Sequence, residues 1–149
     1  MTIHATHDPA GQVSSASRYS QGVESAPGLR WLHVSGQIGL RPDGSLPDDH
    51  AGQHEQTWEN VKGVLASAGM GVEHIVRVNG FITGTDQIAA YRTARDAAMG
   101  DSKPASTLVI VAGLVDPALV VEIEVTAAVT KQSRSSRPSS RATACGWLA

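Results

Sequence analysis

Two β-rich runs, residues 106–114 and 118–129, dominate the last third of the chain before its C-terminal tail, with Val115, Asp116 and Pro117 as the break between them. Pro104 marks the entry to the first run. Upstream, Leu32, Val34, Gly36, Ile38 and Leu40 alternate with Trp31, His33, Ser35, Gln37 and Gly39. A period of two predicts a strand over residues 30–40 with one face in a core. Gly36 and Gly39 are costly inside a strand and predict a bulge or a close backbone approach. Residues 74–83 alternate in the same way, with Val76, Val78, Gly80 and Ile82 on one side. A shorter run, residues 18–24, reads as an edge strand that Pro27-Gly28 joins to the next as a hairpin.

Between the strands the period changes. His54, Trp58, Val61, Leu65 and Ala68 recur at spacings of three and four, the stripe of an amphipathic helix. Asp48 or Asp49 can cap its start, and Gly69 suits the position just past its end. Gln53, Glu55, Glu59 and Lys62 fall on its other faces. A second helix is expected from about Gln87 to Met99, capped by Asp86 and closed by Gly100. The order β-β-α-β-α-β-β predicts an α+β fold in two layers, with the helices on one face of the sheet. Val34, Val109, Val111, Val121 and Ile123 are then expected on the uncovered face. An apolar face of that size predicts a homo-oligomer, most simply a symmetric ring.

The ends of the chain lack this patterning. Residues 1–16 read as a flexible segment, residues 17–130 as one domain, and the Ser- and Arg-rich residues 131–149 as a disordered tail. The length of 149 residues suits a single core. No apolar run is long enough to span a membrane, and no secretory leader is visible, so a cytoplasmic location is the expectation. The lone Cys145 reads as an incidental thiol. Four of the twelve basic residues lie beyond Thr130, leaving eight against fourteen acidic residues in the body. An acidic body is a poor surface for phosphate, so nucleic acid is not an expected partner.

Candidate chemistry begins with Glu122, a carboxylate inside an apolar strand. Burying it costs free energy unless it is paired or hydrogen-bonded. It could serve a reaction or pair structurally across a subunit boundary. Glu124, two residues on, shares its side of the strand. Ser106 and Thr107 could bond a ligand or simply start a strand after Pro104. Tyr19 could border a ligand or be an edge aromatic. His50 and His54 have metal-compatible spacing, but no third ligand joins them, and they read as solvated histidines. His33 could belong to an interface.

Several motifs, taken in order, resemble the Rid superfamily, also called the YjgF or L-PSP endoribonuclease family. They are Tyr-Ser-Gln-Gly-Val at 19–23, Val-Ser-Gly-Gln-Ile-Gly at 34–39, Asp43-Gly44, Gln53, Asn60-Val61, Val64-Leu65, Gly69, Pro-Ala-Ser-Thr at 104–107 and Val-Glu-Ile-Glu at 121–124. The resemblance implies a chorismate-mutase-like fold, with a mixed β-sheet and two helices on one face. It also implies a homotrimer with small-molecule clefts between subunits. The implied activity is hydrolysis of a reactive imine or enamine to a carbonyl compound and ammonia, without metal or organic cofactor. Glu122 would hold the attacking water. Tyr19 and Gly36 would line the cleft, and Thr107 and Leu108 would offer backbone groups to the substrate. Ser106 stands where the best-known deaminases carry a carboxylate-binding arginine, and the asparagine usual on the second helix falls near Tyr91. Binding of a small metabolite without turnover is the alternative function, and RNA cleavage the third.

Overall fold

A computed structural model describes residues 4–10 and 18–131. The tail from residue 132 onward, Cys145 with it, lies outside the described residues. Eight elements follow one another: strands β1 (His4–His7), β2 (Gly22–Ser25) and β3 (Leu29–Ile38), helix α1 (His50–Ser67), strand β4 (Ile75–Ile82), helix α2 (Ile88–Met99), and strands β5 (Ala105–Ile110) and β6 (Val121–Thr130). No helix among the described residues is long and apolar enough to cross a membrane.

The main sheet is mixed, in the order β3-β6-β4-β5. β6 runs antiparallel to both neighbours, and β5 runs parallel to β4 at the edge. The two runs around Asp116-Pro117 are therefore not neighbours, because β4 lies between them. Gln53 pins the connection between them: its amide donates to the Ala118 carbonyl at 2.9 Å and accepts from the Val120 N–H at 3.1 Å. Gln53, expected off the apolar stripe, is buried for this reason. β1 was not anticipated within the N-terminal segment. It pairs with β2 in a separate two-stranded sheet, so β2 takes β1 as its partner and the expected hairpin with β3 is replaced.

Local signals account for the helices. The Asp49 carboxylate caps α1 by accepting from Gly52 N at 2.7 Å. Gly69, with φ at 67°, ends it in the left-handed region. Trp58, Val61 and Leu65 are fully buried along the predicted stripe. α2 begins after a 3₁₀ turn at Thr85–Gln87. Asp86 does not cap its backbone; the carboxylate accepts from the Gln87 side chain at 2.8 Å.

The core packs Val34 of β3, Val78 and Ile82 of β4, and Val121, Ile123 and Val125 of β6 against Trp58, Val61, Leu65 and Tyr91 of the helices. Each fully buried aliphatic side chain stabilises by about 1.5–3 kcal/mol. Val34, Val121 and Ile123 thus face the helices rather than the uncovered side. A period of two groups such residues on one face without saying which face the helices take. The open face is mixed in character: Trp31 and Val109 are 46% and 41% exposed, beside Phe81, Arg77, Asn79, Glu122 and Glu124.

Gly36 in β3 and Gly39 just past its end have the expected cause. The register with β6 shifts by one residue between Val34 and Gln37, a bulge that turns Ile38 to the Glu122 side. A Cβ on Gly39 would stand 2.9 Å from the Gln53 backbone, so this glycine lets β3 meet α1 closely.

Candidate functional site

The predicted site residues fall into two groups on opposite faces of the sheet. The first gathers where β5 begins. The Ser20 hydroxyl donates to the Lys103 carbonyl at 2.7 Å, its N–H donates to the Pro104 carbonyl at 3.2 Å, and Ser20 bridges Ala105 in parallel. These bonds bring Tyr19 to Ser106. Together with Leu108, Tyr91, Arg92 and Arg95 they line a cavity of about 170 Å³ between β5 and α2.

Tyr91 is 1% exposed, and its hydroxyl has no hydrogen-bond partner among the described residues. Burial pushes its pKa up to about 12, while the charge of Arg95 and the neighbouring Ser106 side chain pull it partly back. The Ser106 hydroxyl sits beside the phenol without completing a bond of good geometry. Gly80 makes room for this ring, since a Cβ there would overlap the phenol. Arg95 is buried and ion-pairs with Asp96, with Nη2 at 2.8 Å and Nε at 3.2 Å from Oδ1. Arg92 is exposed at the cavity's rim.

Behind Tyr91 a polar chain runs from buried His54 and Gln87 to exposed His50. The His54 Nε2 donates to the Gln87 carbonyl oxygen at 3.2 Å, and the Gln87 amide donates to His50 Nδ1 at 2.8 Å. His54 packs edge-on to Tyr91 with ring centroids 6.1 Å apart. It is fully buried, which corrects the expectation of a solvated histidine. Burial lowers its pKa, the charge of His50 adds to this, and the Gln87 hydrogen bond opposes it.

The second group lies on the open face. Glu122 is part-buried, with its carboxylate over Gly36, where any Cβ would overlap it. Among the described residues the Glu122 carboxylate has no hydrogen bond or ion pair. Its neighbour on the same side, Glu124, accepts from Asn79 Nδ2 at 2.8 Å. Arg77 Nε donates to Asn79 Oδ1 at 3.1 Å, and its Nη2 donates to Thr107 Oγ1 at 3.3 Å. Thr107 and Glu124 are thus ends of one polar network across β5, β4 and β6, and Thr107 points away from the cavity that Ser106 and Leu108 line. His33 is exposed on this open face, 3.5 Å from Thr126 Oγ1.

Within one chain the structure therefore joins Tyr19, Ser106 and Leu108, and separately Gly36 and Glu122. It does not join the two sets. Tyr91, Arg92 and Arg95 complete the first set. Of the arginines that could stand in for the missing guanidinium (Arg18, Arg30, Arg92 and Arg95, each read from sequence as solvated), the cavity takes Arg92 and Arg95, and Arg95 is buried. Their spacing of three on a helix puts both arginines on one side.

Comparison with known proteins is consistent in direction. Residues 10–129 match the family model described as Endoribonuclease L-PSP. The mitochondrial protein MMF1 of Saccharomyces cerevisiae is 32% identical over 105 residues, covering 67% of this chain and 68% of its own length. A Rid-family protein, YyfB of Yersinia pestis, has a crystal structure that superposes with a TM-score of 0.77 at 27% identity, over 86% of this chain and all of its own. RidA from an Antarctic Psychrobacter superposes with a TM-score of 0.63 at 29% identity, over 78% of this chain and 92% of its own.

Proposed function

The chain belongs to the endoribonuclease L-PSP family, whose solved members include Rid proteins, and on that premise we propose that it hydrolyses a small reactive imine or enamine to a carbonyl compound and ammonia. The observation that carries the proposal is the unpaired Glu122 carboxylate held over Gly36. A part-buried carboxylate with free oxygens is placed to bind a water and take its proton as the water oxygen attacks the imine carbon. An enamine first takes a proton on its β-carbon to become an imine, and the imine nitrogen takes one through solvent as water adds. The tetrahedral carbinolamine then collapses. The C–N bond breaks, the carbinolamine hydroxyl gives up its proton, and the one held by Glu122 returns through solvent to the nitrogen. Ammonia leaves with the carbonyl compound behind.

The two half-sites explain why this reaction would need an assembly. In a symmetric homotrimer, Glu122 and Gly36 of one subunit would face the cavity of Tyr19, Ser106 and Leu108 on the next. Exposed Trp31 and Val109 would become buried contacts at the same boundary. The edge strand β5, with half of its backbone groups unpaired in the main sheet, would supply Thr107 and Leu108 main-chain groups to the substrate.

Ammonia release from 2-aminoacrylate and 2-iminopropionate, generated in situ, tests the reading. The wild type should accelerate release, and Glu122→Gln should lose about a hundredfold or more of that acceleration. Full activity in Glu122→Gln, or none in the wild type, overturns the mechanism.

A further inference from the structure

We propose that Arg92, on α2, supplies the charge with which the cavity beside Ser106 holds a carboxylate of its ligand. This rests on the reading above for where the ligand lies, and adds which group selects it. Six side chains line the cavity, and none is acidic. Two are guanidinium groups, and three more, Tyr19, Tyr91 and Ser106, carry hydroxyls. Such a wall is rich in donors and has no fixed negative charge. It suits an anion.

The two arginines divide the work. Arg95 is held by Asp96, so the pair leaves little net charge for a ligand. Arg92 makes no hydrogen bond or ion pair among the described residues, and it stands one turn before Arg95 on the same side of α2. Ser106 offers a hydroxyl on the strand opposite, without the charge or the forked geometry of a guanidinium. The cation needed to bind a carboxylate is thus on the helix rather than on the strand.

The Tyr91 hydroxyl points to the same conclusion independently. A buried donor without a partner is costly, and Tyr91 is such a donor in the cavity wall. A carboxylate oxygen placed between Arg92 and Ser106 would accept from it. Leu108 supplies the apolar wall against which a short carbon chain would rest. The ligand class that fits is a small monocarboxylate with its reactive carbon beyond the acid group.

The test is binding, so it does not depend on turnover. Pyruvate is titrated calorimetrically into wild type, Arg92→Ala, Arg92→Lys and Glu122→Gln, with neutral pyruvamide as the control ligand. Arg92→Ala should weaken pyruvate binding about tenfold or more, and Arg92→Lys should recover part of the loss. Pyruvamide should bind Arg92→Ala as it binds wild type, and Glu122→Gln, which keeps the arginine, should still prefer pyruvate to pyruvamide. Unchanged pyruvate affinity in Arg92→Ala overturns the proposal. So does equal loss for pyruvamide, which would mean altered packing, and so does a wild type that binds no pyruvate at millimolar concentration. An inactive Glu122→Gln that still binds pyruvate, or an active one, bears on the hydrolysis alone and leaves the role of Arg92 to the Arg92 variants.

Discussion

The helix-covered face of the sheet and its open face are read from the same strands, one residue out of step. On the covered side Val121, Ile123 and Val125 close a core, and at its β5 edge that side ends in a cavity whose charges are positive. On the open side, between those same residues, stand Glu122 and Glu124. The charges that would hold an acid and those that would activate water are thus kept apart by the sheet itself. If the proposed hydrolysis holds, a single chain would carry its two halves without joining them, and a second copy would be the simplest way to bring them together.

The largest expected effect contrasts two tryptophans. Trp58→Ala, in the covered core, should lower the unfolding free energy by about 3–5 kcal/mol. Trp31→Ala, on the open face, should cost under about 1 kcal/mol at low protein concentration in urea unfolding. A cost for Trp31→Ala that grows with protein concentration would report burial of that face between copies. Equal costs at high dilution would break the contrast.

Next comes the pH dependence of the covered side. An unfolded tyrosine ionises near pH 10 and Tyr91 in the fold near 12, so the unfolded state loses its proton first. Stability should be intact below pH 10 and fall by about 2–3 kcal/mol as pH rises from 10 past 12. Tyr91→Phe should flatten that alkaline slope in thermal melts. His54 acts at the other end: its lowered pKa means the unfolded state takes up protons first below pH 6.5, so stability is lost as pH falls from there.

The smallest effect tests the open side. Gly36→Ala would press its methyl into the Glu122 carboxylate, the free end of a flexible side chain. The fold should persist, with a melting temperature within a few degrees of wild type. The ammonia-releasing activity should fall on the order of tenfold as the carboxylate is displaced. Unchanged activity would mean that the position of Glu122 does not matter.

Several of these features were legible in the sequence because their causes are local. Asp49, the 54-58-61-65 stripe and Gly69 specify α1 by contacts within a few residues. The alternation of β3 and its costly glycines announced both a strand and its bulge. Glu122 stood out because a carboxylate in an apolar strand is anomalous wherever the strand lies. Gln53 and His54 were misjudged for a physical reason: a residue at the border of a helical stripe is exposed or buried according to what packs beside it. For Gln53 that neighbour is the 118–120 loop, and for His54 it is Gln87 and Tyr91, all distant along the chain. Sequence could not choose Arg92 and Arg95 over Arg18 and Arg30 because the rotation of α2 about its own axis decides whether they meet the cavity.

Apart from β1, the sequence by itself determined the elements, their order and the residues that alternate together, since capping, periodicity and turn chemistry act over a few residues. It also marked Glu122 as unusual for its strand, while Ser106 stood out only through the family resemblance. Only the tertiary structure decided that β4 separates β5 from β6, that the helices cover the Val121 and Ile123 side, and that Tyr19 meets Ser106 near two arginines. A period-two pattern is symmetric with respect to the two sides of a sheet, and the symmetry is broken only when distant segments pack.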